Sequence, residues 1–406
     1  MFGLVCGVGA FPLALALVGG RRAIDKGSSA KLEVSAESVG DALRLLLGVF
    51  LGLPGVVGKV TLLGAVVYVG MGMLTASLVT LVGVELLDAV DPAGGISVFT
   101  PIGLFTLVVA AMVAHPRYAT RGTRHASDAS SVAALRDVWL GSAWLAILLP
   151  LVFAGLPWPS QESAFRAALH TLLAISGAVV SAAGVELLST SPKIRMEPLL
   201  SAVVAGAVAI APIVGHKLNI GLALVAGASG AVAGNLAQSG ADSFFPRFFM
   251  WHDRTRIVGS LAVPGCVGAL WSICVAWISL SADYLSQEAP FFFPHLKYQP
   301  LYQLAALAFA VGFALALGLT TGWILIMIPR PTKFFHDTPL IALPTNAVTS
   351  ISPIDLPSIL ATDLPPIDAS PEFSHHNVES PAPARPLDNA AGVRPITPPR
   401  PVRGWS

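Results

Sequence analysis

The chain has 406 residues, is 54% hydrophobic and only 12% charged, and has a mean hydropathy of +0.73. Soluble domains carry about 25% charged residues because water must be met over their whole surface, so lipid covers much of this chain and soluble enzymology is excluded. The formal net charge of +1 likewise gives no electrostatic basis for binding nucleic acid.

A membrane-spanning helix needs about 20 mostly apolar residues. Segments of this kind succeed one another at 2–20, 40–55, 60–87, 95–114, 137–157, 166–188, 198–215, 218–237, 257–281 and 301–328. The first begins directly after Met1 but lacks the basic leader of a signal peptide, and Arg21 and Arg22 follow it, so it reads as a span. The second is short and carries Asp41 and Arg44, whose i,i+3 spacing lets them neutralise each other near the membrane boundary. Small residues recur through the later spans (Gly206 and Ala207, Gly227 and Gly230, Gly265 and Gly268). They permit close helix contacts in lipid, where burial supplies little driving force. The glycine-rich run Gly221–Gly234 has the same meaning, since it lacks the Lys-Ser/Thr of a phosphate loop.

The connecting charges set an orientation. With both termini cytoplasmic, the inside loops carry Arg117, Arg121, Arg124 and Arg136, then Lys193 and Arg195, then Arg247, Arg254 and Arg256. The opposing loops carry Asp88 and Asp91, Glu162, and Asp283 and Glu288. This is the positive-inside asymmetry. One loop runs against it, with Arg21, Arg22, Lys26 and Lys31 outside.

From residue 331 onward the composition changes, with 15 of the 32 prolines. Such a segment buries too little apolar surface to offset its ordering entropy and is predicted to be a disordered cytoplasmic tail. Within it, Pro395-Ile-Thr-Pro398-Pro399-Arg-Pro401 has the form of a polyproline II ligand, so a polyproline-binding or cytoskeletal partner is a candidate. The three cysteines, Cys6, Cys266 and Cys274, lie in apolar segments as small packing residues, and no metal-ligand or nucleophile motif is present. No cofactor or metal is expected.

Five short strings in order carry a family likeness: Asp91-Pro-Ala-Gly94-Gly95 opening a span, Trp158-Pro159-Ser160, Arg166-Ala-Ala-Leu-His170-Thr171, Ser201-Ala-Val-Val-Ala205-Gly206-Ala-Val-Ala209 after Lys193-Ile-Arg-Met196, and His252-Asp253 followed by Val263-Pro264-Gly265. Together, across residues 34–330, they resemble the Rh branch of the ammonium transporter/Rhesus glycoprotein superfamily. Phe334-Phe335-His336-Asp337 after the last span is similar to the Rhesus blood-group polypeptides. The resemblance implies an all-α polytopic bundle of eleven core helices, built as two inverted five-helix repeats plus one and assembled as trimers. By order, the first span here matches the second core helix. The expectation is therefore a bundle of about ten helices over 1–330 that lacks the family's first helices, which an incomplete gene model would explain.

The resemblance also implies a narrow apolar lumen with two facing histidines, an entrance aspartate and stacked phenylalanines. Aligning on Gly94-Gly95 puts Thr100 at the first histidine position, and aligning on His115-Pro116 puts Phe99 there. Counting from Asp253 puts Leu261 at the second. Ser38 and Gln161 stand at the gating phenylalanine positions. Asp91 and Asp253 match the family's aspartates, with helix capping as the structural alternative. His170, where the family has asparagine, reads either as a substitute proton-handling group or as a buried imidazole bonded to a neighbouring helix. Arg254 and Arg256 flank Asp253 and would compete with a cation there. Two functions remain open. One is a channel for ammonia, and for carbon dioxide, with a degenerate pore. The other is a transport-inactive structural subunit of a hetero-oligomeric Rh complex. An unrelated carrier requires the five strings to be coincidence. Either Rh reading implies an integral plasma-membrane protein, not an enzyme, in a homo- or hetero-trimer of Rh-family subunits.

Overall fold

In the computed structural model, residues 2–25, 35–57, 59–114, 132–188, 196–248, 253, 255–279 and 297–328 are described. The tail from 331 and most of the loop arginines and lysines counted above lie outside the described residues, as does Arg254. The ten expected helices are present in order. They are α1 (Phe2–Asp25), α2 (Ala36–Gly52), α3 (Leu62–Thr80), α4 (Thr100–Ala114), α5 (Val132–Ala154), α6 (Gln161–Leu188), α7 (Met196–Ile210), α8 (Ile220–Phe248), α9 (Val263–Ser279) and α10 (Gln299–Met327). Eight are long and apolar enough to cross a membrane, and apolar stretches of α1 (Ala10–Arg21) and α5 (Trp139–Ala154) are shorter.

Local chemistry explains where the helices start. Ser35 caps α2: its Oγ accepts the Ser38 amide at 3.2 Å, and the Ser38 hydroxyl oxygen accepts the Ser35 amide at 2.8 Å. This reciprocal cap starts the helix four residues before the apolar stretch. Thr61 caps α3 through the Gly64 amide. Ser160 caps α6 through the Ser163 amide at 3.1 Å, so that helix begins at Gln161 rather than 166. Polar residues beyond 237 continue α8 to Phe248, because Gln238 finds buried partners described below.

Three segments are wound wider than an α-helix. Leu81–Leu86 extends α3, while Gly95–Phe99 leads into α4 and Val258–Ala262 into α9. In each the amide bonds to the carbonyl five residues back, as in Leu87 to Val82 and Phe99 to Gly94, each carrying one residue more than an α turn.

Among the described residues, two large apolar clusters dominate the interior, beside two smaller ones. One cluster unites α1–α4 with α10 around Leu45, Val49, Tyr68 and Phe105, and the other unites α5–α9 around Phe153, Val208, Ile210 and Leu261. Phe99, at the start of α4, belongs to the second cluster and stitches the halves together. Within the first, Thr106 Oγ1 donates to the Ile102 carbonyl at 2.7 Å. Its single proton is thereby used, so the 2.6 Å contact with Tyr68 has the tyrosine hydroxyl as donor. Gly52 leaves the space for this pair, since a Cβ there would lie 2.6 Å from each oxygen. Tyr68→Phe is expected to cost about 1 kcal/mol, read as a modest fall in melting temperature of the solubilised protein with unchanged monodispersity.

Candidate functional site

The two halves meet where α4 crosses α9, and the crossing has an internal symmetry. The sequence offset that separates Asp91 from Asp253 also separates Phe99 from Leu261, Thr100 from Ala262 and Gly103 from Gly265. A Cβ on Gly103 would lie 2.6 Å from the Ala262 nitrogen, and a Cβ on Gly265 would lie 3.0 Å from the Thr100 Cα and against its Oγ1. Each glycine thus admits the backbone one turn back on the other helix. The helices run in opposite directions. Gly55, at the end of α2, touches both Thr106 in α4 and Ile257 at the start of α9, while Thr100 lies beside Gly265. The ends of α2 and α7 play matching parts. Both close in a 3-10 turn containing proline, at Leu53–Gly55 and Ala211–Ile213, and Pro212 packs where Gly95 has no Cβ.

Each aspartate caps the wide turn that follows it. Asp91 Oδ2 accepts the amides of Ile96 at 3.0 Å and Ser97 at 2.7 Å and the Ser97 hydroxyl at 2.7 Å. Asp253 Oδ2 accepts the Val258 amide at 2.8 Å, and its Oδ1 accepts the Thr255 hydroxyl at 3.2 Å. Ile96 and Val258 each stand five residues after their aspartate. Both carboxylates are buried. Because the helices run in opposite directions, the aspartates sit at opposite ends of the crossing. Burial pushes the Asp253 carboxyl above the ordinary carboxylate range, against the pull of the Val258 and Ile257 amides, the Thr255 hydroxyl and the Lys59 charge. Arg256, expected to compete at this carboxylate, donates to Asn235 Oδ1 at 2.8 Å.

Between the aspartates the surroundings are apolar. Phe99 and Leu261 have no exposed surface and belong to one cluster with Phe153, Ile257 and Ile210. The Phe99 and Phe153 rings lie 6.1 Å apart and tilted. The offset therefore pairs Leu261 with Phe99. Thr100, the other alignment, pairs with Ala262, and its hydroxyl is turned to the Gly95 carbonyl at 2.7 Å.

The remaining expected residues lie away from this crossing. Ser38 is occupied in the α2 cap, and Gln161 is exposed at the first position of α6. His170 is buried, leaves Nδ1 without a partner and uses its other nitrogen on the Leu218 backbone. That segment is further held by the Leu218 amide on the His216 carbonyl and by Trp158, whose ring covers Gly215. On the same side as Asp91, a buried chain of charges ties α1, α2 and α3 together. Arg21 bonds Asp41 at 2.9 Å and Glu85 at 2.6 Å, and Arg44 bonds Asp41 at 3.1 Å and the Pro92 carbonyl at 3.1 Å. The Asp41–Arg44 pairing was legible from spacing, whereas Arg21 and Glu85 were not.

Sequence reasoning missed three buried glutamines. Gln303 Nε2 donates to the Val90 carbonyl at 2.9 Å and Gln299 Nε2 to the Asp88 carbonyl at 2.8 Å. Gln238 Nε2 donates to the Asp253 carbonyl at 3.1 Å, and its Oε1 accepts the Gly259 amide at 3.2 Å. The available signal was an amide side chain inside or at the edge of an apolar run, which is costly without a partner.

A profile of the Ammonium Transporter Family matches residues 44–331. The chain is 23% identical over 335 residues to the ammonium transporter Rh type C of Tetraodon nigroviridis, covering 77% of this chain and 68% of that one. Among solved structures it is similar to Nitrosomonas europaea Rh50, of the Rhesus protein family of channels, with a TM-score of 0.67, 18% identity and 86% of each chain covered. It is also similar to Candida albicans Mep2, with a TM-score of 0.57, 18% identity, and 80% of this chain and 72% of that one covered.

Proposed function

The chain belongs to the ammonium transporter family, and from that premise we propose that it is an Rh-branch integral membrane protein that passes neutral ammonia, and not the ammonium ion, along the seam between α4 and α9. The observation that carries this reading is the symmetric pair Phe99 and Leu261, both apolar and without exposed surface, at the positions where the family resemblance expects imidazoles. Moving an uncompensated ion into apolar surroundings costs tens of kcal/mol on continuum grounds, against about 2–7 kcal/mol for an uncharged polar group. An imidazole could take the proton of ammonium and lower that barrier, and Phe99 and Leu261 cannot. What crosses must shed its proton in water first.

A second reading has its own observation. Phe99 packs at a tilt against Phe153 inside the core of the other half, which would shut the seam and leave a structural subunit of an Rh-family trimer. The plasma membrane, a cytoplasmic C-terminus, a membrane domain through residue 330 and a partner-binding tail belong to the same proposal. The burial of Arg21 between Asp41 and Glu85 supports that orientation, because it neutralises the first charge of the loop that runs against the positive-inside asymmetry.

Stopped-flow measurements on proteoliposomes separate these readings. Ammonia-driven alkalinisation is expected to exceed that of empty vesicles, with no current on adding ammonium or methylammonium. An ammonium current would overturn the neutral-gas reading. Alkalinisation no faster than in empty vesicles would leave the structural subunit.

A further inference from the structure

We propose that Gln238 at one mouth, and Gln299 with Gln303 at the other, are positioning residues that hold the two aspartate-capped turns and thereby set how Leu261 and Phe99 face the seam. The proposal rests on the reading of that seam as the path.

The two glutamine sets do matching work from different helices. Gln303, on α10, donates to Val90, the residue just before Asp91, and Gln299, one turn earlier, donates to Asp88. Gln238, on α8, donates to the carbonyl of Asp253 itself and accepts from Gly259 inside the wide turn. All three side chains are essentially without exposed surface. Each therefore fixes a loop carbonyl from the buried side of its turn.

The clamped segments are the ones that need holding. Among the described residues, Asp88 with φ 50° and Arg256 with φ 55° are the non-glycine positions in the left-handed region. One lies three residues before Asp91 and the other three after Asp253. A side chain in that region is unfavourable and persists where its surroundings over-determine it. The Gln299 amide holds the Asp88 carbonyl. The Asp253 carbonyl that accepts Gln238 also accepts the Arg256 amide at 3.2 Å. Without the glutamine at one mouth, the strained loop can relax, the aspartate shifts off its turn and the residue eight places on rotates away from the seam. The opposite mouth keeps its own clamp.

That independence is the test. In full-length protein in nanodiscs, with the native cysteines replaced by alanine, single probes Leu261→Cys and Phe99→Cys are labelled with a small water-borne methanethiosulfonate. Both sites are expected to react slowly in the parent. Gln238→Leu should raise the rate at the Leu261 probe about tenfold and leave the Phe99 probe unchanged, because loss of a buried hydrogen bond shifts the local opening equilibrium by about that factor. Gln303→Leu should do the reverse. Acceleration of both probes by either variant, or of neither, would overturn the proposal, since a merely structural role loosens the whole bundle or nothing. If a leucine variant does not fold, Gln238→Asn and Gln303→Asn keep the polarity, fall short of the carbonyl and give the same crosswise pattern. Ammonia flux measured in parallel separates the two layers. Crosswise labelling with unaltered flux keeps the clamps and sinks the α4–α9 path.

Discussion

Gly103→Ala and Gly265→Ala are each expected to destabilise the protein by about 3 kcal/mol or more, enough to remove the folded species from solubilised membranes. The added methyl of Gly103→Ala would stand 2.6 Å from the Ala262 nitrogen and 2.8 Å from its Cα. Backbone cannot rotate aside as a flexible side chain does. Relief requires α4 and α9 to part, and parting them withdraws Phe99 from the second core and unseats Thr100 from its place beside Gly265. In lipid this loss is not offset by water release, because helix association there depends on van der Waals contact. Gly265→Ala is expected to be the milder of the two, since its methyl meets the Thr100 Oγ1 first and the Thr100 backbone only at 3.0 Å. Gly312→Ala supplies the control: its methyl would meet nothing within 4 Å in α10, and alanine is the better helix former by about 1 kcal/mol. Fluorescence-detected size-exclusion profiles of tagged variants provide the measurement. A monodisperse peak for Gly103→Ala with a melting temperature near the parent's would show that the halves are not locked at this crossing.

The helices were legible because hydrophobic length is written locally: each apolar run became a helix, and ends moved where polar residues found partners, as with the Ser35 and Ser160 caps and with Gln238 in α8. The weakest segment, 40–55, held for the reason its polar residues suggested, with Asp41 and Arg44 paired at 3.1 Å. The third and fourth charges of that chain come from α1 and α3, and no spacing rule links Arg21 to Glu85. The site was legible in part. That Asp91 and Asp253 cap the turns after them was one of the two readings their strings allowed, and the pairing of Leu261 with Phe99 rather than Thr100 emerges only when the second half of the molecule serves as a ruler. The wide turns shift the register by one residue, and the sequence carries no local mark of that shift. Gln238, Gln299 and Gln303 were invisible for a related reason. An amide in an apolar run says that a partner exists, and only the fold says which carbonyl it is.

Asp91 separates a capping carboxylate from one that attracts cations. Three donors converge on Oδ2, while Oδ1 is buried without a partner. Asp91→Ala strands the Ile96 and Ser97 amides in a buried place, and a loss of about 3 kcal/mol or more is expected. Asp91→Asn keeps an acceptor for those amides and puts its NH2 where Oδ1 now stands. It loses only the charge assistance of the cap, about 1 kcal/mol. The asparagine variant is therefore expected to fold, melt slightly earlier and pass ammonia at a rate within about twofold of the parent, since that change corresponds to well under 1 kcal/mol in barrier. Neutral ammonia has no need of a negative charge at the mouth. A folded Asp91→Asn protein with ammonia flux reduced about tenfold, some 1.4 kcal/mol in barrier, would show the opposite: the carboxylate would be gathering ammonium, and the proton would be leaving inside the protein. The seam between Phe99 and Leu261 offers no base to take that proton, so such a result would move the path away from α4 and α9 altogether.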